Sequence, residues 1–292
     1  MILRTTYIEQ LRKFIDKPQI KILTGIRRSG KSTVLRLLSS ELATYLAGRY
    51  VEIRLPTPLF GRISGFHTAD YPADTAYKVV FDIYSSVILR DTVQRYKIRD
   101  VELLERVIKY AFDNIGNTFS GKNVADYFKS QQRKIDINTV YNYLNALEGA
   151  FILNCVPRYD VKGKEILKTQ EKFYVSDVSI VYATMGFRDR MISGILENVV
   201  FLELKRRGYQ VYVGKSDQNE IDFVVEKQGE KIYVQVAYKL ESEQTVAREF
   251  SVLSAINDQY PKYVVTMDDF WKDSINGVKH FYITDFLMNE HW

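Results

Sequence analysis

A short segment near the start of the chain has the residue types and spacing of a phosphate-binding loop. Residues 25–32 read Gly-Ile-Arg-Arg-Ser-Gly-Lys-Ser, which fits the pattern G-x-x-x-x-G-K-[ST]. The apolar run 20–24 predicts a strand before it, and the spacing over 32–38 predicts a helix after it. In such a loop backbone N–H groups cradle phosphate, a lysine reaches the β- and γ-phosphates, and a serine holds Mg²⁺. We therefore expect ATP and Mg²⁺ as cofactors, with Ser32 as the Mg²⁺ ligand. The predicted nucleotide-binding residues are Gly25, Arg28, Ser29, Gly30, Lys31, Ser32 and Thr33.

The acidic strand that ATP hydrolysis also requires has only one nearby candidate. A hydrolysing P-loop domain needs a carboxylate at the end of a second apolar strand, where it holds Mg²⁺ and activates water. The run Val79-Val-Phe-Asp82 has this form, but it continues into a segment with helical apolar spacing. Between Ser32 and Ala76 there is room for one helix, one strand and a loop, and two strands do not make an independently stable sheet. Asp82 is the one candidate carboxylate, and hydrolysis is not expected.

Composition limits the classes of function. The length of 292 residues predicts two or three domains, and the apolar fraction of 46% is ample for their cores. The single cysteine excludes an intrachain disulfide and fits a reducing cytoplasm. Three widely separated histidines argue against zinc sites and histidine catalysis, and no stretch is apolar enough for a membrane span. The net charge is +5, and residues 90–172 carry 15 Lys and Arg against 11 Asp and Glu. This surplus suits a polyanion, and a solvated basic face is the alternative.

The middle of the chain has the order of a winged helix-turn-helix. Helices are predicted over 101–114, 120–130 and 137–150, followed by strands over 151–156 and 172–175. The last helix of such a module can enter a major groove of DNA, but here it contains no Lys or Arg. Phosphate contacts would therefore come from flanking basic residues. A module for protein contact, or a spacer, is the alternative. The candidate DNA contacts are Lys129, Arg133, Lys134, Asn138, Tyr141, Asn142, Lys162 and Lys164.

The C-terminal part has acidic residues arranged as in a metal-dependent nuclease. Glu197 lies on a predicted helix, Asp222 on a strand, and the next strand carries Gln235-Val-Ala237 in place of the usual [DE]-x-K. In that arrangement carboxylates bind Mg²⁺ and the lysine assists the attacking water. A glutamine can offer a carbonyl oxygen, whereas an alanine supplies no ammonium; Lys239, two residues on, would share the strand face. Glu197, Asp222 and Gln235 are thus candidate metal ligands, in a domain expected to be non-catalytic.

Taken together, these motifs resemble those of the prokaryotic AAA-type P-loop ATPases that join an ATPase core, a winged helix and a C-terminal restriction-endonuclease-like domain. The resemblance covers nearly the whole chain. It implies an internally deleted member, because segments that the family separates by most of the ATPase core are joined here near 35–39. It also implies a smaller loss between Leu55 and Asp74, and it places Arg49 at the nucleotide phosphates. The matching segments are 24–33, 38–50, 88–96, 156–160 and 221–238.

The sequence thus predicts a multidomain α/β protein that binds ATP, with little or no hydrolysis, and acts as a nucleotide- or DNA-associated scaffold. One alternative is a DNA-binding module with a catalytically dead nuclease-like domain, and another is an ATPase completed by a second subunit. Double-stranded DNA and a second copy of the chain are the expected partners, the cytoplasm is the expected location, and no membrane is involved. The predicted domains are a truncated P-loop piece at 1–60, a helical connector at 61–100, a winged helix at 101–172 and a restriction-endonuclease-like domain at 173–292.

Overall fold

The fold is taken from a computed structural model that describes most of the chain beyond residue 76 and two strands before it. The described residues form parts of two compact units. The first unit comprises 1–101, 146–152 and 176–186, and the second comprises 102–145, 153–175 and 187–292. The residues that the structure describes are 9, 20–24, 50–54, 77–78, 80–82, 84–133, 135–216, 219–269 and 274–289.

The first unit contains a pair of parallel strands. Strand β1 (Ile20–Thr24) pairs with β2 (Tyr50–Arg54), with Ile20 opposite Tyr50. Parallel strands need a crossover of a dozen or more residues, and the 25 residues from 25 to 49 supply that length. The strand predicted before the phosphate-binding loop is therefore present, and it ends where the loop begins.

Helical structure follows in the same unit. Residues 80–82 are helical, a turn of π-helix spans Tyr84–Leu89, and α1 (Arg90–Tyr96) continues it to Lys97, whose φ of 51° ends the helix. Asp82 therefore lies in a helix and not at the end of a strand. Helix α5 (Val178–Met185) begins at Asp177, whose carboxylate accepts a hydrogen bond from the Ser179 N–H.

Three helices precede the main sheet. They agree with the predicted bounds to within about a residue, because each follows an apolar repeat of 3.6 residues. Ser120 begins the second of them by accepting the Asn123 N–H at 3.1 Å. The Tyr141 hydroxyl accepts the Gly121 N–H at 3.2 Å and so joins the second helix to the third. The helices are α2 (Val101–Asp113), α3 (Gly121–Ser130) and α4 (Ile137–Gly149).

An eight-stranded mixed sheet forms the core of the second unit, with strand order β4-β3-β5-β6-β7-β8-β10-β9. The pairs β3–β5, β7–β8 and β8–β10 are parallel, and the others are antiparallel. The hairpin predicted as a wing is hydrogen-bonded to β5, and the predicted boundary at 172/173 falls within β4. The strands are β3 (Leu153–Asp160), β4 (Glu165–Val175), β5 (Gln210–Ser216), β6 (Asn219–Lys227), β7 (Glu230–Val236), β8 (Lys262–Thr266), β9 (Ser274–Ile275) and β10 (Val278–Tyr282).

Helices cover the sheet and leave its central strand buried on both faces. Five consecutive residues of β6, Ile221–Val225, are buried. One face packs on aromatic rings, with Tyr174 stacked on Phe201 at 4.6 Å between centroids. Among the described helices, none has the length and apolar character needed to cross a membrane. The covering helices are α6 (Ile192–Arg206), α7 (Glu243–Ser254) and the short C-terminal α8 (Ile283–Met288).

A break in the β3–β4 ladder shapes the hairpin. Val156 is opposite Lys172, but Arg158 is opposite Leu167, so residues 168–171 bulge from β4 beside Pro157. Proline has no N–H to donate to the ladder, which is why such a break forms there. On the other side of β4, Thr118 forms a β-bridge with Lys172, and the Phe119 N–H donates to the Glu171 carbonyl at 2.8 Å. The backbone at Lys172 is therefore held from both sides.

A buried amide fastens α6 to β4. The Asn198 Oδ1 accepts the Val175 N–H at 2.7 Å, and its Nδ2 donates to the Val175 carbonyl at 3.0 Å. Asn198 is fully buried. Its side chain thus extends the ladder of β4 and fixes how the helix lies against the strand.

We expect Asn198→Ala to lower the free energy of unfolding by about 2–4 kcal/mol, because two buried main-chain groups lose their partners. Urea unfolding followed by circular dichroism measures this loss. The matched control is Asn142→Ala on the exposed face of α4, which should change stability by no more than about 0.5 kcal/mol. A loss below about 1 kcal/mol for Asn198→Ala would show that the clamp is not stabilising.

Candidate functional site

Three carboxylates of the second unit converge on one buried ammonium group. Glu197 comes from α6, and Glu220 and Asp222 come from β6; we call these three residues the acidic centre. The Lys172 Nζ lies 2.7 Å from Glu220 Oε1, 3.0 Å from Glu197 Oε1 and 3.6 Å from Asp222 Oδ1. Only 3% of the Lys172 side chain is exposed. The lysine is therefore a resident cation of the centre.

Strand geometry explains why these groups meet. Successive side chains of a strand alternate between its faces, so Glu220 and Asp222 lie on one face of β6, and Lys172 and Tyr174 lie on one face of β4. The Tyr174 hydroxyl donates to the same Glu197 oxygen that accepts from Lys172. The hydroxyl and the ammonium thus hold the Glu197 carboxyl against β4.

Hydrogen bonds to β7 hold the inner carboxylate. Asp222 Oδ2 accepts the Val236 N–H at 2.8 Å, and the Asp222 N–H donates to Gln235 Oε1 at 3.3 Å. The Gln235 amide then donates to Glu249 Oε2 at 3.1 Å, and Arg248 pairs with the other Glu249 oxygen at 2.6 Å. The carbonyl oxygen of Gln235 is therefore already engaged within the protein.

The balance of burial and charge sets the pKa values in the centre. Burial alone lowers the pKa of Lys172, but the carboxylates of Glu197, Asp222 and Glu220 outweigh it and raise the pKa above its ordinary value. Burial raises the pKa of Glu197, and the neighbouring Asp222 charge adds to this effect. Burial also raises the pKa of Asp222, against the lowering effect of Lys172. At neutral pH the ammonium is charged, and Glu197 is the carboxyl that takes up a proton most readily.

These residues, as arranged, do not fit the divalent metal ion that the nuclease resemblance implies. The structure places Asp222, one of the three candidate ligands, beside both Glu197 and Gln235. However, a divalent ion binds carboxylate oxygens at about 2.0–2.6 Å, and the Lys172 ammonium lies where those oxygens converge. The Lys239 ammonium does not reach the centre, since its side chain is 44% exposed and its nearest carboxylate is Glu241, at 3.9 Å. The ammonium of the site comes from β4 and not from the strand that carries Ala237.

The predicted nucleotide site has few described residues. Its loop residues, Gly25, Arg28, Ser29, Gly30, Lys31, Ser32 and Thr33, lie outside the described residues, as does Arg49. Asp82 is exposed on its helix. What the structure adds is the pair of parallel strands on either side of the loop segment.

The predicted DNA contacts are mostly exposed. Lys162 and Lys164 lie in the turn between β3 and β4, Lys129 lies near the end of α3, and Asn138 and Asn142 lie on α4. Two other candidates have partners within the protein. Arg133 pairs with Glu102 at 3.0 Å, and Tyr141 accepts the Gly121 N–H. Lys134 lies outside the described residues.

Sequence reasoning missed the cation of the site. The sequence pattern places Lys172 only in a strand over 172–175 and gives no role to Arg158, which contacts Glu220 at 3.4 Å. The available signal was the alternation itself: a lysine and a tyrosine share one face of the segment 172–175, whose other two residues are apolar. A charge on a buried strand needs a countercharge, which points to the carboxylates of another strand.

Comparison with known proteins identifies two domains and one family. Residues 68–190 match the domain of unknown function DUF8612, and residues 193–283 match the domain of unknown function DUF4143, which is found in AAA-ATPase-associated proteins. An uncharacterized protein of Haemophilus influenzae is 31% identical over 308 residues, which cover 97% of this chain and 75% of that protein. The chain belongs to the same family as this protein.

A more distant relative matches part of the chain. An uncharacterized protein of Methanocaldococcus jannaschii is 27% identical over 167 residues, which cover 56% of this chain and 37% of that protein. No solved structure matches. The two domains meet in the acidic centre, because Lys172 and Tyr174 lie in the DUF8612 segment and the three carboxylates lie in the DUF4143 segment.

The raised pKa of Glu197 predicts a stability that falls with rising pH. In the folded protein its pKa is raised to about 8, whereas an unfolded glutamate has a pKa of about 4.3. Between these values the folded state holds a proton that the unfolded state has lost, so the free energy of unfolding decreases as the pH rises, by up to about 1.4 kcal/mol per pH unit. Urea unfolding at pH 5, 6, 7 and 8 measures the slope.

The variant Glu197→Gln keeps the acceptor oxygen and removes this titration, so it should flatten the slope between pH 6 and 8, above the raised pKa of Asp222, which is about 6. The control Glu241→Gln, at an exposed position of the same unit, should keep the slope of the wild-type protein. An unchanged slope in Glu197→Gln would mean that this carboxyl is ionised throughout the range.

Proposed function

We propose that this chain is a nucleotide- or DNA-associated scaffold of the AAA-type ATPase class that binds ATP with Mg²⁺ and hydrolyses it slowly or not at all. The observation that carries the proposal is the position of the G-x-x-x-x-G-K-S segment between two strands that pair in parallel. A strand that ends directly at such a loop is the setting in which backbone N–H groups bind phosphate. The DUF4143 match, found in AAA-ATPase-associated proteins, agrees with this assignment.

Two observations support weak or absent hydrolysis. Asp82, the nearby candidate for the Mg²⁺ carboxylate, lies in a helix. In addition, the match to the Haemophilus influenzae relative extends over 308 residues although this chain has 292. The relative therefore carries residues within the matched region that this chain lacks, and we assign them to the ATPase part. A second copy of the chain is our proposed source of the missing Mg²⁺-binding carboxylate.

DNA association rests on the order of the elements from α2 to the β3–β4 hairpin. Helix α2, the bridge at Thr118, helices α3 and α4 and the β3–β4 hairpin follow one another as in a winged helix. The turn of the hairpin presents Lys162 and Lys164 to solvent. We assign the contact to double-stranded DNA, with the phosphates bound by this turn and base edges within reach of Asn138 and Asn142.

Strand cleavage is not part of the proposal. A nuclease of this type needs a metal ion and a lysine beside the attacked phosphate. Here the lysine of the site is Lys172, and it is paired with the carboxylates that would bind the metal. The C-terminal domain is therefore proposed to be a non-cleaving module.

Calorimetric titration of Mg-ATP into the purified chain tests nucleotide binding. We expect saturable binding that is lost in Lys31→Ala, because that variant removes the positively charged side chain that would bind the β- and γ-phosphates. The control Lys109→Ala, at an exposed position of α2, should bind as the wild-type protein does. Binding that is absent, or that is unchanged in Lys31→Ala, would contradict the assignment.

A steady-state assay then separates slow hydrolysis from activity completed by a second subunit. The proposal expects turnover near the background rate at every protein concentration. Robust turnover that is abolished by Lys31→Ala would contradict a degenerate ATPase. A turnover rate per chain that rises with protein concentration and falls in Asp82→Asn would support completion by another copy.

The proposed DNA contact predicts a change in salt dependence. We expect Lys162→Ala combined with Lys164→Ala to weaken duplex binding and to reduce the slope of log affinity against log salt by about 1–2. The reason is that fewer counterions are released on binding when phosphate contacts are lost. Fluorescence anisotropy with a labelled duplex at several salt concentrations measures both quantities. Lys279→Ala, at an exposed position of β10, is the matched control. Failure of the wild-type chain to bind duplex DNA at low salt would exclude this function.

A further inference from the structure

The Lys172 ammonium is a buried charge that is surrounded by countercharges. An ion removed from water loses several kcal/mol of solvation, and the loss is offset only by countercharges in good geometry. The Lys172 ammonium has three carboxylates within 3.6 Å, and its side chain is 3% exposed. The bridge to Thr118 and the ladder to Val156 fix the backbone from which it extends.

Two cationic side chains bring to the acidic centre as much positive charge as a divalent ion would supply. Lys172 supplies one positive charge, and Arg158, 3.4 Å from Glu220 Oε2, supplies a second. These two positive charges equal that of Mg²⁺ or Mn²⁺. The centre thus has the charge of an occupied site without a metal ion.

Hydrogen bonds within the protein hold the other polar groups of the centre around the lysine. Glu197 Oε1 accepts from both Lys172 and Tyr174, and Asp222 Oδ2 accepts the Val236 N–H. Gln235, the third predicted ligand, is engaged by Asp222 and Glu249. An incoming divalent ion would have to displace the ammonium, because both would need the same three oxygen atoms.

We propose that Lys172 is a built-in cation that replaces a divalent metal ion, so that the native acidic centre excludes metal and shortening Lys172 opens a divalent-cation site on Glu197, Glu220 and Asp222. The lysine reaches the centre from the DUF8612 segment, whereas the carboxylates belong to the DUF4143 segment. This inference is independent of nucleotide and DNA binding, so its test can fail without affecting either.

Mn²⁺ binding to the full chain tests the proposal, because Mn²⁺ prefers carboxylate oxygens and its free form gives a strong paramagnetic resonance signal. The nucleotide-free wild-type chain and the exposed-site control Lys109→Ala should leave the added Mn²⁺ free. Lys172→Ala should bind one Mn²⁺ per chain at the acidic centre. Its midpoint of thermal unfolding should rise by about 5 °C or more in excess Mn²⁺, with no rise in the wild-type protein.

A destabilised variant remains informative. If Lys172→Ala is unfolded in metal-free buffer, addition of Mn²⁺ should refold it, since the metal restores the missing charge. Adding Asp222→Asn to Lys172→Ala should abolish the Mn²⁺ binding and the thermal rise. Binding of Mn²⁺ at the acidic centre of the wild-type chain, or a Lys172→Ala chain that neither binds Mn²⁺ nor refolds with it, would overturn the proposal.

Discussion

The buried ion pairing of Lys172 with three carboxylates is the constraint on which the second unit depends. A lysine with 3% of its side chain exposed stays charged only if countercharges surround it, and ionised carboxylates this close together repel one another unless a cation lies among them. Each group therefore requires the others. The strands and the helix that carry them must meet in one geometry, because a misplaced element would leave an uncompensated charge in the interior.

The surrounding structure holds each component of this pairing separately. The break at Pro157 and the bridge to Thr118 set the backbone of Lys172. The Asn198 amide holds α6 against β4 and thereby fixes Glu197, one residue earlier in the helix. The hydrogen bond from Val236 fixes Asp222. Since the lysine and the carboxylates lie in segments that match two different domains of unknown function, the acidic centre joins a part of the first segment to the second segment within the second unit.

Local patterns predicted the elements well, and non-local pairing limited the rest. The helices α2, α3 and α4 follow from their apolar repeats, and the acidic residues of α6 and β6 were placed together with Gln235 because their order matches a known arrangement. The cation was missed because Lys172 is separated from Glu197 by 25 positions and from Asp222 by 50. Its role depends on how the hairpin joins the sheet. That joining is the parallel pairing of β3 with β5, which no local sequence signal reports. Lys239 was the nearer lysine in sequence, and its exposure and its pairing towards Glu241 keep it outside the centre.

The most direct test of the account observes the Lys172 ammonium itself. Nitrogen-15 labelling of the lysines allows protected side-chain ammonium groups to be detected by NMR, because exposed ones exchange too fast with water. The account predicts a protected ammonium signal that persists above neutral pH, disappears in Lys172→Ala and is not broadened by added Mn²⁺. The buried Lys262 ammonium, 2.8 Å from Asp258 Oδ1, gives a second protected signal that the variant should keep. Absence of a protected signal that Lys172→Ala removes, or broadening of that signal by stoichiometric Mn²⁺, would contradict a built-in cation in this centre.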